Sequence, residues 1–300
     1  MDRFKKNLKK VVLRRKALSF LHMAWLHRKF QYNPLYKVPF LWMKNRNSNY
    51  QIIDLEGAKK YKTSDTIFIL GSGPSLNNLQ KSQIDEVKRH DTFGINYSFL
   101  FDLVPTFHSL EDDKTEWGRR FLEERLEPYR ERCSKTIWCI SERHLTRFIH
   151  PRIAPEFFPM NPVCWVYKYP NPIRLDEKRP FRDEDFSQSV VYRGSMSVAI
   201  DLVLRLGYKK LVLLGVDLDI PKHFYDGLPE MKEYVSKLDA YRRQNNFTKR
   251  EAMIPKGNKF HPVDEYLYAL QDYLLRVKGV NLFVGLKDNT LYPKIPAYFE

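Results

Sequence analysis

The sequence predicts an α/β protein: a single doubly wound, mostly parallel sheet with a lid, preceded by a basic amphipathic helical arm. Three observations carry this reading. Short apolar, β-rich runs alternate with stretches of helical period from residue 66 to residue 284. The positive charge is crowded into the first 46 residues. One long polar and aromatic segment, 219–260, separates the strongest strand from the helix after it. Strand–helix alternation of this kind gives parallel sheets covered on both faces.

The arm comes first. Residues 1–46 hold thirteen Lys and Arg against the single acid Asp2, which is +12 of a net +15. Phe4, Leu8, Val11, Val12, Leu18, Leu21 and Trp25 fall near helical spacing among those cations. Such a helix suits an anionic membrane surface, with Lys5, Lys6, Lys9, Lys10, Arg14 and Arg15 on phosphates and Trp25 at the interface. The alternative is a helix docked on its own domain or on a second copy of the chain, as in a homo-oligomer. Nucleic acid is disfavoured, because no reader motif accompanies the charge. A polar, Pro-punctuated stretch then sets a boundary near residue 50, giving an arm over 1–50 and one domain over 51–300.

Within that domain Thr66–Leu70 reads as a strand, and 80–89 as helix. Thr92–Asn96 and Thr106–Ser109 read as strands, 114–132 as a charged helix, and Thr136–Ile140 as a strand. Residues 150–187, rich in Pro, aromatics and charge, read as loops. Ser195–Leu206 carries Val198, Ile200, Leu202, Val203 and Leu206 at helical spacing, and Gly207 ends it. Lys210–Leu214 is a buried strand. The segment 219–260 holds only a short helical pattern, Met231–Tyr241, and a run this long between strand and helix is usually a lid or binding loop. Helix Val263–Val277 and strand Asn281–Val284 follow.

Composition narrows the function. A 300-residue chain that is 43% hydrophobic can bury a full core. No apolar run is long enough to span a bilayer, and Leu18–Leu26, interrupted by His22, is no secretory signal. Cys133, Cys139 and Cys164 form no C-x-x-C pair, which fits thiols in a reducing compartment and implies no metal site.

The most informative segment is Phe68-Ile69-Leu70-Gly71-Ser72-Gly73-Pro74-Ser75-Leu76. A strand breaks there into a glycine turn and then a helix start. Gly71 and Gly73 permit unusual backbone angles or close approach of a ligand, and Pro74 suits a first helical turn. Free amides at such a turn favour an anion. A tight turn with no ligand is the plain alternative. Asn96, Ser109 and Gly215–Asp219 also lie at or just after strand ends, where doubly wound sheets bind ligands at a switch in strand order. Asn96 offers an amide to a hydroxyl or a base edge. Gly194 and Ser195 open a helix beside Arg193, which is equally an ordinary N-cap. Asp217 and Asp219 can hold a metal, a sugar or simply the next loop. Tyr225 sits in the lid segment, and His261 stands where that segment rejoins the core, usable as a base near neutral pH.

Taken in order, these motifs resemble the bacterial sialyltransferases of the Campylobacter and Haemophilus lipooligosaccharide type, glycosyltransferase family 42. The resemblance spans about residues 65–290. It lies in Ile69 to Leu76, in Asp91-Thr92-Phe93-Gly94-Ile95-Asn96, in Pro105-Thr106-Phe107, in Ala199-Ile200 through Leu206-Gly207-Tyr208-Lys209, in Leu213-Leu214-Gly215-Val216-Asp217, and in His261. The family implies one nucleotide-binding domain, GT-A-like or Rossmann-like, with a lid. It implies metal-independent, inverting transfer from a CMP-activated ulosonic acid. Gly71, Ser72, Gly73 and Ser75 match its loop against the CMP phosphate, and Asn96 matches a nucleotide-binding asparagine. Gly194, Ser195 and Met196 match a Thr-Ser-Gly that contacts donor, with Met in place of Gly. Asp219 stands where the family has the first of two tyrosines that help the phosphate leave; Tyr225 is the candidate second, and His261 matches the general base. The altered positions leave sialic acid and Kdo both open as the donor sugar. Arg193, Lys222, Arg242 and Arg243 are cations for its carboxylate.

The first reading is therefore a glycosyltransferase acting on a lipid-linked glycan such as lipopolysaccharide, at the cytoplasmic face of the inner membrane, with no metal cofactor. A second reading rests on the G-x-G-P-S-L loop of archaeal pterin pyrophosphokinases, whose Mg²⁺ would sit on Asp112, Asp217 or Asp219. A third is a non-catalytic protein that binds anionic lipid.

Overall fold

The computed structural model describes residues 52–53, 55–110, 116–141, 163–166, 194–219, 222–244 and 263–300. All lie in the unit Asn49–Glu300. The expected membrane residues Lys5, Lys6, Lys9, Lys10, Arg14, Arg15 and Trp25 fall outside them, as do Asp112, Arg193 and His261.

Eight strands form one sheet: β1 (Ile52–Ile53), β2 (Thr66–Leu70), β3 (Asp91–Ile95), β4 (Phe107–Ser109), β5 (Ile137–Ser141), β6 (Val163–Val166), β7 (Lys210–Leu214) and β8 (Asn281–Val284). Their spatial order is β1-β6-β5-β4-β3-β2-β7-β8. Every pairing is parallel, with Phe68 opposite Thr92 on one side and Val212 on the other. The chain starts its main run at β2, winds out through β3 to β6, then returns to β2's other side with β7. The strand order thus reverses between β2 and β7, and ligand sites in open α/β sheets lie beyond the carboxyl ends at such a reversal.

The central strands β2, β3 and β7 are buried on both faces, which is why they read as near-continuous apolar runs. Ile67 and Ile69 join one core with Leu211, Leu213, Val203 and Leu267. Phe68 and Leu70, pointing the other way, join a second core with Val212, Leu214, Val87 and Met231. Helices α1 (Leu55–Lys59), α2 (Lys81–Val87), α3 (Glu116–Leu126), α4 (Gly194–Arg205), α5 (Lys232–Gln244) and α6 (Val263–Tyr273) connect and cover the strands.

Several elements differ from the sequence-based expectation. The turn after the glycine loop is a five-residue 3-10 helix, Pro74–Asn78, with α2 following separately. The charged helix α3 stops at Leu126 and passes into the 3-10 turn Glu127–Tyr129, because Pro128 lacks the N–H that would continue it. Within 150–187, expected to be loops, β6 pairs in parallel with β5 through Trp138, Cys139, Ile140 and Ser141. Four residues are too few to show a period; the neighbouring strand makes them a strand. Past α6 the chain widens into a π-helical turn, Leu274–Lys278, closed by Gly279 at φ 60°.

Candidate functional site

The glycine loop is zipped to the end of β7. The Gly71 amide donates to the Leu214 carbonyl at 2.8 Å, and the Gly73 amide to the Gly215 carbonyl at 2.7 Å. A Cβ on Gly71 would lie 2.3 Å from the Gly215 carbonyl oxygen, and one on Gly73 only 2.2 Å from an Asp217 carboxylate oxygen. These two glycines therefore supply room, not an unusual backbone angle; Gly73 sits at φ −73°. Gly215 is the position that needs a left-handed backbone, at φ +62°, and a Cβ there would lie 2.6 Å from Leu76 Cγ.

Asp217 occupies the start of the 3-10 turn, its carboxylate accepting the Ser75 amide at 2.8 Å. The residue is 7% exposed. The loop amides are thus less open than the motif suggests, since Gly71, Gly73 and Ser75 all donate within the chain. Ser72 differs. Its carbonyl accepts the Phe224 amide at 3.0 Å, while its own amide and hydroxyl donate to no other described residue.

One strand over, β3 ends at Asn96, which has a left-handed backbone at φ 53°. Asn96 opens the 3-10 turn Asn96–Leu100, whose Ser98 hydroxyl accepts the Ile95 amide at 2.7 Å. The Asn96 side-chain amide donates to the Ser195 hydroxyl at 3.3 Å. Ser195 is the second residue of α4, after Gly194, so the end of β3 and the start of α4 meet above the sheet. Ser109 closes β4 opposite Ile95, one residue before Asn96.

Beneath Asn96 lies His108, fully buried between Phe99 and Trp138, with Nε2 at 2.8 Å from the Asn96 carbonyl oxygen. Burial pulls its pKa down from the ordinary histidine range to about 4, and the bond to Asn96 only partly opposes this. The ring is neutral at physiological pH.

The first part of the expected lid is core. Phe224, Tyr225 and Met231 are buried with Leu70, Leu76 and Leu214. Phe224 packs edge-on against Phe101, and Tyr225 lies 5.7 Å from Tyr97 and 4.9 Å from the His223 ring. The Asn77 side chain holds the Phe224 carbonyl at 3.1 Å, and the His223 amide donates to Asp226 at 3.0 Å. This turn is therefore fastened to the glycine loop on two sides. Aromatic residues in a polar stretch supplied the contacts that its low overall hydrophobicity hid. Tyr97 also faces Tyr234 of α5 at 4.8 Å, and Lys237 lies over Trp117 at 3.7 Å. Asp219, at the end of the β7 loop, is exposed.

The expected residues thus fall into two linked groups. Gly71, Ser72, Gly73, Ser75 and Asp217 form the zipped loop, against which the Tyr225 turn docks. Asn96, Ser109, Gly194 and Ser195 gather one strand away, and Tyr97, adjacent to Asn96, touches Tyr225. Sequence reasoning missed His108 and Tyr97. Their one available signal was position: His108 immediately precedes a strand-end serine, and Tyr97 immediately follows Asn96. Among the described residues no group of three or more His, Cys, Asp or Glu is placed to hold a metal ion. No helix among them is long and apolar enough to cross a membrane.

No described protein family matches the chain, and no curated protein matches it. Solved structures do. A Tyr-to-Phe variant of the sialyltransferase Cst-II in complex with CMP aligns at 15% identity, over 77% of this chain and 85% of that one, with a TM-score of 0.47. The monofunctional α-2,3-sialyltransferase Cst-I from Campylobacter jejuni aligns at 15% identity, over 79% and 82%, with a TM-score of 0.43. A second Cst-II variant, described as an α-2,3/8-sialyltransferase, gives 16% identity over 77% and 86%, with a TM-score of 0.41.

Proposed function

We propose that this chain is a glycosyltransferase that moves an ulosonic acid, sialic acid or Kdo, from its CMP-activated form to a lipid-linked glycan. The observation that carries the proposal is the meeting of Asn96 and Ser195 at 3.3 Å, next to the zipped loop at the β2–β7 reversal. A site there offers a side-chain amide, small hydroxyls and a helix start together, the equipment for a nucleoside monophosphate. The order of the sequence motifs supplies the identity of the nucleotide.

In this reading Asn96 and Ser109 hold the nucleoside. Gly194, Ser195 and the Ser72 amide receive the phosphate. His261 takes the proton of the acceptor hydroxyl as that oxygen attacks the anomeric carbon, and the bond from that carbon to the CMP phosphate oxygen breaks. Attack opposite the leaving group inverts the configuration. The Tyr225 hydroxyl is the group assigned to the departing CMP, Asp219 stands at the position of the family's first tyrosine without that residue's hydroxyl donor, and the basic arm brings the enzyme to an anionic membrane that carries the acceptor. Of the carboxylates offered to Mg²⁺ in the pyrophosphokinase reading, Asp112, Asp217 and Asp219, Asp217 here accepts the Ser75 amide.

The test is direct. The full chain is incubated with CMP-sialic acid and CMP-Kdo, with and without EDTA, and CMP release is followed. Release from one donor, unchanged by EDTA, is the expected result. Release from neither, together with no thermal shift by CMP beyond that by AMP or GMP, refutes the proposal.

A further inference from the structure

We propose that His108 is a positioning residue, whose Nε2–H sets the left-handed backbone of Asn96 and so aims the Asn96 amide at the start of α4. The inference rests on the nucleotide reading above, in which Asn96 touches the ligand. The tautomer follows from the partner. A carbonyl oxygen only accepts, so at 2.8 Å from the Asn96 carbonyl it is Nε2 that carries the proton. Nδ1 is then a bare lone pair, buried without a hydrogen-bond partner among the described residues. It faces Gly94, where a Cβ would lie 2.2 Å from it.

A phenylalanine would fill this slot between Phe99 and Trp138 without burying an unsatisfied nitrogen, which carries a free-energy cost. The imidazole brings a donor at one atom, and that donor meets one backbone carbonyl. Fixing that carbonyl matters because a non-glycine residue at φ 53° is uncommon and needs its surroundings to hold it. The same residue sends its side chain to Ser195. Three features thus act as one device: a glycine that leaves space, a neutral histidine that fills it, and an asparagine held in a strained turn.

The test compares isosteres in the full chain by calorimetric titration with CMP. Glutamine places an amide nitrogen where Nε2 stands, and asparagine places one where Nδ1 stands. His108→Gln should keep CMP affinity within about threefold, whereas His108→Asn and His108→Phe should lose about tenfold, the worth of one net hydrogen bond. In an Asn96→Ala background the His108→Phe loss should vanish, because both changes act through one group. Imidazole ¹⁵N shifts of the wild-type protein should show His108 protonated on Nε2 alone from pH 6 to 8, whether or not nucleotide binds. Equal losses for Gln and Asn, an undiminished loss in the Asn96→Ala background, or a proton on Nδ1 would each overturn the assignment. Failure of the wild type to bind CMP removes the nucleotide reading, and the ¹⁵N shifts still decide the His108 hydrogen bond.

Discussion

Gly71→Ala should be among the costliest single-methyl additions in this protein. The new Cβ would meet the Gly215 carbonyl oxygen at 2.3 Å and its carbon at 3.0 Å, and both are backbone atoms that cannot rotate away. Relief to ordinary contact requires the loop to shift by roughly 1 Å, at an overpacking cost of about 1–3 kcal/mol. That shift also stretches the Gly71–Leu214 and Gly73–Gly215 hydrogen bonds, now 2.8 and 2.7 Å. Each is worth about 1 kcal/mol net. Alanine returns about 0.4–1 kcal/mol by restricting the unfolded chain. The balance is a destabilisation of about 2–4 kcal/mol, read as a lower urea midpoint at unchanged slope. Gly227→Ala is the matched control, since a Cβ there meets nothing within 4 Å and its backbone is not left-handed. It should be neutral or slightly stabilising. If Gly71→Ala unfolds within about 0.5 kcal/mol of Gly227→Ala, an ordinary surface effect, the zipped-loop account is wrong.

Asp217→Ala should cost about 1–2 kcal/mol by removing the cap on Ser75, and Asp217→Asn, which keeps an acceptor oxygen, clearly less; equal losses in urea melts would count against the cap. His108, with its pKa lowered to about 4, stays neutral in the fold while the unfolded chain takes up a proton near pH 6.5. Its contribution is therefore complete above pH 6.5 and is lost as pH falls toward 4, by up to about 3 kcal/mol, and acid titration of stability should lose this slope in His108→Gln. Deleting residues 1–46 should abolish binding to anionic vesicles, which in the full chain should weaken steeply with salt, while turnover of a soluble acceptor survives; vesicle binding by the truncated chain would refute the arm's role. His261→Ala should cut turnover roughly 10²–10⁴-fold with CMP affinity intact, and near-normal turnover would refute the base assignment.

The sheet was legible because its central strands are buried on both faces. An unbroken run such as Ile67 to Leu70 announces itself without a period, and the glycine turn marks where it ends. β1 and β6 were not legible: at two and four residues they owe their pairing to neighbours already in place. In the site, the placing of Asn96, Ser109 and Ser195 at strand and helix ends followed from the alternation alone. What the sequence hid was the use of each polar atom. Asp217 reads as a free carboxylate at a strand mouth, and only the fold brings Ser75, 142 residues away, to its oxygen. Phe224 and Tyr225 were hidden in the same way, as apolar residues in a polar segment whose core partners are distant in sequence. His108 was hidden because a lone histidine in a strand carries no sign of which nitrogen is bonded, or to what.

The contacts that build the loop also change what it can bind. A bare G-x-G-P-S turn offers an anion its amides, but Asp217 already supplies a carboxylate at this one, and five residues of 3-10 helix carry little aligned dipole. A second anion at the Ser75 amide would face that carboxylate at close range. The 12-residue α4 is different: it is long enough for a helix dipole, and its first residues are Gly194 and Ser195. Asn96 already reaches Ser195 from the neighbouring strand. In the proposed reading a nucleotide phosphate would therefore be better served by α4 and the Ser72 amide than by the Ser75 amide. The glycine loop then acts by shape, holding β2 and β7 together so that Ser72 and the docked Tyr225 turn stay beside Asn96. At the opposite, amino-terminal edge, the buried Asp91 carboxylate accepts from Thr63, Ser64 and Tyr208. That network ties down the base of the sheet, so the geometry above it can depend on a few short contacts among Gly71, Asp217, His108 and Asn96.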